Sequence, residues 1–308
     1  MMTNNAIQNM ADNLEKVSNL QSKIASNKQF QVPSDDPLRA STSLNLRSQL
    51  QTLESYSDTA ALSENWMTAS DNAFDQLEQI AIRANDLILS GLNDTLSGSE
   101  RAQTLGAEMQ ELIAETVEIG NTSVNGQYIF SGYQVNQKAF SLTDAAAPLL
   151  DYAGNPFTPK VANYLGDTGV MQRSLGPDQS VALNVRGDQA ILGFLQNLIV
   201  ASNALIQNNV HNTSDPLTLE ASLGNLKTSI DTLDQYRTSN GARLRQVTSA
   251  SNFLESVKLE TESLLSENED INLAESIALL ANQQNTYEAV LEVSQRAISA
   301  LSLFDYLR

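Results

Sequence analysis

Counting by sevens from Leu46 gives Leu53, Ala60, Met67, Phe74, Ala81 and Ile88, and every position is apolar. A second column, Trp66, Ala73, Ile80 and Leu87, lies beside it. Seven residues fall just short of two full α-helical turns. Such an edge stays aligned with a partner only if the helices wind around each other left-handedly. From Leu38 to about Leu96 the helix is roughly 85–90 Å long at 1.5 Å per residue. No single globular core needs a helix of that length.

Helical periodicity also governs both ends. Ile7, Met10, Leu14, Val17 and Ile24 fall on one stripe at steps of three and four, with Gln21 as the lapse. Pro33 and Pro37 disfavour helix in the residues before them, so the helix stops between Phe30 and Pro37. The run Ser34-Asp35-Asp36-Pro37 then starts the next one, with Asp35 or Asp36 as the cap and Pro37 in the first turn. Ser97 to Glu100 reads as a capping box that resets the helix, and Gly120-Asn121 ends it. Helical pattern resumes at Asp188, a plausible cap, breaks over Asn208 to Asp215, and restarts with Asp215 as cap and Pro216 in the first turn. Asn240-Gly241 is a turn by local signals. The apolar stripe nevertheless crosses it, through Leu226, Ile230, Leu233 and Tyr236 to Leu244, Val247 and Leu254, and predicts one helix from Pro216 to about Ser266. The final stripe is Ile277, Leu280, Tyr287, Leu291, Ile298 and Leu301, with Gln284 and Ser294 as lapses.

Between these helices the composition changes. Residues 120–193 hold nine of the 14 glycines and four of the seven prolines, so this part cannot be continuous helix. Tyr128-Ile129-Phe130 and the alternating Val181, Leu183 and Val185 read as strands between turns. From Tyr133 to Gly187 four basic residues balance four acidic ones, which leaves the acidity of the protein on its helices.

Charge and residue inventory remove most chemistry. With 18 Lys plus Arg against 36 Asp plus Glu, the net charge of −18 offers no basic footprint for phosphates and is repelled by anionic membrane. The absence of Cys excludes disulfides, thiolate nucleophiles and cysteine-ligated metal. A lone histidine, His211, set in the polar loop Asn208 to Thr213, cannot build a multi-histidine zinc site. No phosphate-binding glycine loop and no Gly-x-Ser-x-Gly elbow occur. Asp35-Asp36 and Glu269-Asp270 are adjacent acid pairs. On a helix such neighbours diverge by ~100°, so they read as caps and solvated surface rather than an acid–base pair. Trp66, at heptad spacing, reads as core filler first. No run approaches ~18 apolar residues, and Met1 to Leu20 lacks the charged start and apolar block of a secretory signal.

Three passages carry a family resemblance. Ile24-Ala25-Ser26-Asn27-Lys28 with Val32-Pro33-Ser34-Asp35-Asp36-Pro37 resembles the N-terminal signature of the flagellin superfamily. Asn125-Gly126-Gln127-Tyr128-Ile129-Phe130-Ser131-Gly132-Tyr133 is similar to the hairpin of its hook–filament junction branch. Gly241-Ala242-Arg243-Leu244, Glu269 to Glu275 and Leu301 to Leu307 resemble the C-terminal pattern. Asn27 stands where the family often has a small residue or Gly. The resemblance covers about 1–133 and 188–308; the centre matches nothing specific.

The resemblance implies an extracellular structural subunit of the bacterial flagellum, exported unfolded by the flagellar type III apparatus without a cleaved signal peptide. Its partners would be further copies of itself in a ring, the adjoining hook-associated protein, flagellin and an export chaperone, with no nucleic acid and no membrane. The expected fold is mainly α with a β-rich insertion: an elongated antiparallel helical rod, terminal helices paired, a small central β domain. Its parts would be a terminal coiled-coil polymerisation domain (1–36 with 268–308), a helical rod with a hairpin (37–133 with 188–267) and a small outer β domain (134–187). Ile7, Met10, Leu14, Val17, Ile24, Ile277, Leu280, Leu291, Ile298, Leu301, Phe304 and Leu307 would form the polymerisation interface. No catalysis, cofactor or metal is expected. The alternatives are a filament flagellin and, from another class, an intracellular coiled-coil adaptor.

Overall fold

The seven-residue column is buried. In the computed structural model, which describes residues 2–211 and 217–306 (side chains 7–211 and 217–296), Pro37–Gly91 forms one helix, α2. Ala60, Met67, Phe74, Ala81 and Ile88 are buried, as is the neighbouring column Trp66, Ala73, Ile80 and Leu87. Leu46 and Leu53, nearer the start, are half-buried. The remaining helices are α1 (Met2–Ser26), α3 (Gly98–Glu100), α4 (Ala107–Gly120), α5 (Gly187–Ala190), α6 (Leu192–Gln207), α7 (Leu219–Glu269) and α8 (Leu273–Tyr306). The chain divides into two compact units, residues 1–54 with 255–308 and residues 55–254.

Within residues 55–254, α2 and α7 run antiparallel. Arg237 of α7 reaches Asp71 (3.6 Å), Asp75 (2.8 Å) and Glu78 of α2, three acids at helical spacing on one face. Asn240, fully buried, donates its amide to the Met67 carbonyl (2.8 Å), and Thr248 donates to Glu64 (3.3 Å). The Asn240-Gly241 pair therefore lies inside α7, where the stripe placed it, and Asn240 works as an interhelical tie instead of a turn residue. The expected cap at Asp215 and Pro216 lies outside the described residues.

Ser97 forms the capping box with Glu100, each side chain engaging the other's backbone. Past it the helix widens into a π-helical turn, Arg101–Gly106, before α4. Buried Arg101 uses that turn to reach back, donating to the carbonyls of Gly91 and Asn93 (both 2.7 Å) and to the Asn208 side chain (2.8 Å). The Gly91 carbonyl is the last of α2 and that of Asn93 lies just beyond it: the helix stops at Gly91 rather than near Leu96.

The strands form four two-stranded antiparallel ribbons: β1 (Ser123–Val124) with β2 (Gln127–Tyr128), β3 (Phe140–Asp144) with β6 (Lys160–Tyr164), β4 (Leu149–Leu150) with β5 (Pro156–Phe157), and β7 (Gln172–Ser174) with β8 (Ser180–Ala182). Asn125 and Gly126 turn the first hairpin with φ of 52° and 79°, the paired positive values that suit a two-residue turn between right-twisted strands. Ile129 and Phe130, read as strand, instead leave the ladder and point inward, with the Phe130 ring edge-on to Phe74 at 5.7 Å. Val181, Leu183 and Val185 are all buried, but only Val181 sits in a strand. Asp188 is in the first turn of α5 rather than its cap, and pairs with Arg186.

A Cβ at Gly241 would meet nothing within 4 Å. Gly241→Ala should therefore stabilise the protein by about 0.5–1 kcal/mol, as a Gly-to-Ala change in a helix interior does. Thermal unfolding of the variant checks this; a lower midpoint would contradict a continuous α7.

Candidate assembly surface

In residues 1–54 with 255–308 the chain enters and leaves its terminal helices through one short crossing. Asn27 ends α1 with φ 54°, a left-handed conformation that costs Asn less than most residues and Gly least. Lys28 then bridges to Asp270; the Gln29 amide donates to the Glu269 carbonyl (2.6 Å), and the Ile271 amide to that of Asn27 (3.4 Å). Asp36 caps α2 by accepting from the Arg39 amide (3.0 Å), while Asp35 accepts from the Gln31 and Val32 amides (3.1 and 3.2 Å) and holds the preceding loop. Asn272 accepts from the Glu275 amide (3.3 Å) at the start of α8.

An ion-pair node locks this crossing. Glu269, its side chain 5% exposed, accepts two hydrogen bonds from Arg47 (2.9 and 2.8 Å) and one from Lys28 (2.9 Å). Lys28 donates also to Asp270 (2.7 Å). Asn268 alongside donates to the Arg39 carbonyl (2.9 Å) and to Ser43 Oγ (2.7 Å). Glu269 and Asp270 therefore do not diverge onto solvated surface: the helix ends between them, and both turn onto Lys28. Hydrogen bonds from Arg47, then Lys28, outweigh burial and lower the Glu269 carboxyl to about 2. The Lys28 ammonium is raised, mainly by its hydrogen bond to Asp270 and then by that to Glu269.

From this node α1 and α8 run antiparallel and pack on each other, as the Asn13–Gln283 hydrogen bond (2.8 Å) and the Lys28–Asp270 bridge fix their register. Among the residues named from sequence, Val17 is buried and Met10, Ile24, Leu280 and Leu291 are half-buried. Ile7, Leu14 and Ile277 stay out of the pair, at 58%, 51% and 52% exposed. Ile298, Leu301 and Phe304 lie on α8 but their side chains are outside the described residues, as is Leu307 entirely.

The paired face instead includes Leu20 and Val290, half-buried, the polar pair Asn13 and Gln283, and buried Ser294. Leu20 completes the spacing Met10, Asn13, Val17, Leu20, Ile24, the same heptad read one notch around the helix. That register was hidden because Asn13 looks like a lapse until Gln283 is seen opposite. The consequence is apolar surface on both flanks of the seam. Ile7 and Leu14 are one heptad apart on α1; Leu273 and Ile277 one turn apart, and Leu279 and Val293 two heptads apart, on α8; all are exposed. A pair with apolar residues on both sides of its own seam has surface suited to neighbours.

The chain is similar to known proteins in sequence and in fold. Residues 1–135 match the family described as the bacterial flagellin N-terminal helical region. Flagellar hook-associated protein 3 of Escherichia coli K12 is 25% identical over 179 residues, 58% of this chain and 50% of that protein. The chain thus spans about half the length of that curated relative. Among solved structures, FlgL of Bacillus cereus is similar with a TM-score of 0.57 at 20% identity, covering 72% of this chain and 99% of that one. The flagellar junction protein FlgL of Legionella pneumophila gives a TM-score of 0.52 at 12% identity, covering 73% and 100%. Residues 1–135 are thus similar to the N-terminal helical region of bacterial flagellins. The fold is similar to that of these solved structures: mainly α, with long terminal helices and a small strand-containing centre.

The node sets a pH dependence. A carboxyl lowered from 4.5 to about 2 contributes stability that is complete above the unfolded-state value and lost as pH falls toward about 2. At ~1.4 kcal/mol per pH unit the gross effect is about 3 kcal/mol, and solvent around the half-exposed cations reduces it to about 2. Glu269→Gln should lower stability by about 2 kcal/mol at pH 7, with the gap from wild type closing between pH 4.5 and 2. Unfolding followed across that range checks it; a gap independent of pH would contradict the ion-pair account.

Proposed function

We propose that this chain is a structural subunit of the bacterial flagellum that assembles through its terminal helices into the junction between hook and filament. The observation that carries this reading is uncovered apolar surface on both flanks of the seam: pairing α1 with α8 leaves Ile7, Leu14, Leu273, Ile277, Leu279 and Val293 in water. A side chain of that size gains about 1.5–3 kcal/mol on full burial, repeated at each contact of an assembly. The names of the relatives supply the setting, a flagellar hook-associated or junction protein.

In this reading the chain is extracellular and works by contact alone, with no catalysis, cofactor or metal. Among the described residues no helix is long and apolar enough to cross a membrane. Its neighbours would be its own copies, the adjoining hook-associated protein, flagellin and, before export, a chaperone that covers the terminal helices. Its parts would be a terminal polymerisation domain (1–36 with 268–308), a helical part with a hairpin (37–133 with 188–267) and an outward β part (134–187). Ile298, Leu301, Phe304 and Leu307 extend the α8 contribution to the interface.

Ile7→Asp and Ile277→Asp test it, because both side chains are exposed and neither fills the core. Each should raise the concentration needed for polymerisation about tenfold or more, the effect of losing ~1.4 kcal/mol or more per contact, with helix content and melting unchanged. In cells, an antibody to residues 134–187 should label one band at the hook–filament boundary. Normal assembly by both variants would sink the terminal-helix reading, and labelling along the filament would favour a flagellin.

A further inference from the structure

The dipeptide Asn-Gly occurs twice in the chain, and the fold treats the two copies oppositely. A glycine after asparagine has no Cβ to hinder its amide nitrogen from approaching the asparagine side chain. Attack of that nitrogen on the carboxamide carbon closes a succinimide ring. The nitrogen must be free of hydrogen bonds, the backbone able to rotate, and water at hand to open the ring. Asn240-Gly241 meets none of these conditions. It lies inside α7, where main-chain amides bond to carbonyls four residues back. Asn240 is fully buried, and its side-chain amide is tied to the Met67 carbonyl (2.8 Å). Asn125-Gly126 meets all of them. Both residues are exposed at the tip of a hairpin whose strands are two residues long. Neither the Asn125 carboxamide nor the Gly126 amide hydrogen-bonds to a described residue. A Cβ at Gly126 would meet nothing within 4 Å, so the turn has room to leave its φ values of 52° and 79°.

We propose that Asn125 is a site of spontaneous deamidation in the folded chain, and that α7 protects Asn240 from the same reaction. The bond from the Gly126 nitrogen to Asn125 Cγ forms as the Cγ–Nδ2 bond breaks, and Nδ2 leaves as ammonia with the Gly126 amide proton. Water then opens the ring. Cleavage between the nitrogen and Cγ gives aspartate; cleavage between the nitrogen and the main-chain carbon gives isoaspartate, with an extra carbon in the backbone of the turn. Either product carries a new carboxylate at position 125. Asn125 lines a cleft of about 280 Å³ together with Arg173, an exposed cation with no partner among the described residues. No Asp or Glu lines that cleft, so the modification brings it its first negative charge.

The buried Asn240-Gly241 pair serves as an internal control. The full chain is held folded in warm, mildly alkaline buffer, and a second sample is held in denaturant. Both are digested at acid pH, where ring closure is slow. Peptide masses are followed over time, and isoaspartate is counted by labelling with an isoaspartyl methyltransferase. In the folded sample the peptide holding Asn125 should gain the mass of exchanging NH for O and separate into aspartate and isoaspartate forms. It should do so at least about tenfold faster than the peptide holding Asn240, whose reaction waits on local opening of α7. In denaturant the two peptides should convert at similar rates. An Asn125 peptide that stays unchanged in the folded chain while it converts in denaturant overturns the proposal, because the turn then protects it. Equal rates at the two sites in the folded chain overturn the fold as the cause of the difference. No conversion at either site in denaturant overturns the chemistry itself.

Discussion

Along α2 the side chains of Ala60, Met67, Phe74, Ala81 and Ile88 meet no water, and the packing of residues 55–254 follows from keeping them dry. A column repeating every seven residues can be covered only by elements that follow it over its whole length. The helix α7 does so antiparallel to α2, held by the Arg237 clamp and the buried Asn240 tie. Elsewhere the cover comes from Phe130, which leaves its hairpin to meet Phe74 edge-on. The π-helical turn belongs to the same scheme, since it places buried Arg101 where the last carbonyls of α2 would otherwise be unpaired.

The other unit, residues 1–54 with 255–308, is stabilised differently. Its seam carries Asn13 against Gln283 and a buried Ser294 where the rod has Met and Phe. Polar residues at seam positions fix register at the expense of stability. The ion-pair node at Glu269 compensates locally by pinning the chain crossing rather than by burying apolar area. What remains is a helix pair in a defined register, anchored at one end, whose outer apolar residues have no cover within the chain.

Much of this was legible from residues alone. The α2 column, the Ser97 capping box, the continuity of α7 through Gly241 and the pairing of the ends all follow from periodicity and end signals. Several of the misses depend on a partner far away in sequence. Glu269 and Asp270 read as solvated because Arg47 and Lys28 lie more than 200 positions away, and they meet only through the fold. Ile129 and Phe130 have strand composition, and only the Phe74 ring explains why they turn inward. Within the terminal stripes, composition alone could not say which of two adjacent columns faces the partner. The polar Asn13–Gln283 pair decides it, leaving Ile7, Leu14 and Ile277 outside.

In the proposed function the terminal pair is incomplete by itself and completed by neighbouring copies. Amide hydrogen exchange on the chain before and after polymerisation tests this most directly. Before assembly, exchange should be slow along 60–88 and 194–205, where the side chains are buried, and fast along 7–24 and 273–296. After assembly the terminal segments should slow by orders of magnitude while 60–88 changes little. Terminal helices that are already as protected as 60–88 in the free chain, or that gain no protection on assembly, would contradict the account.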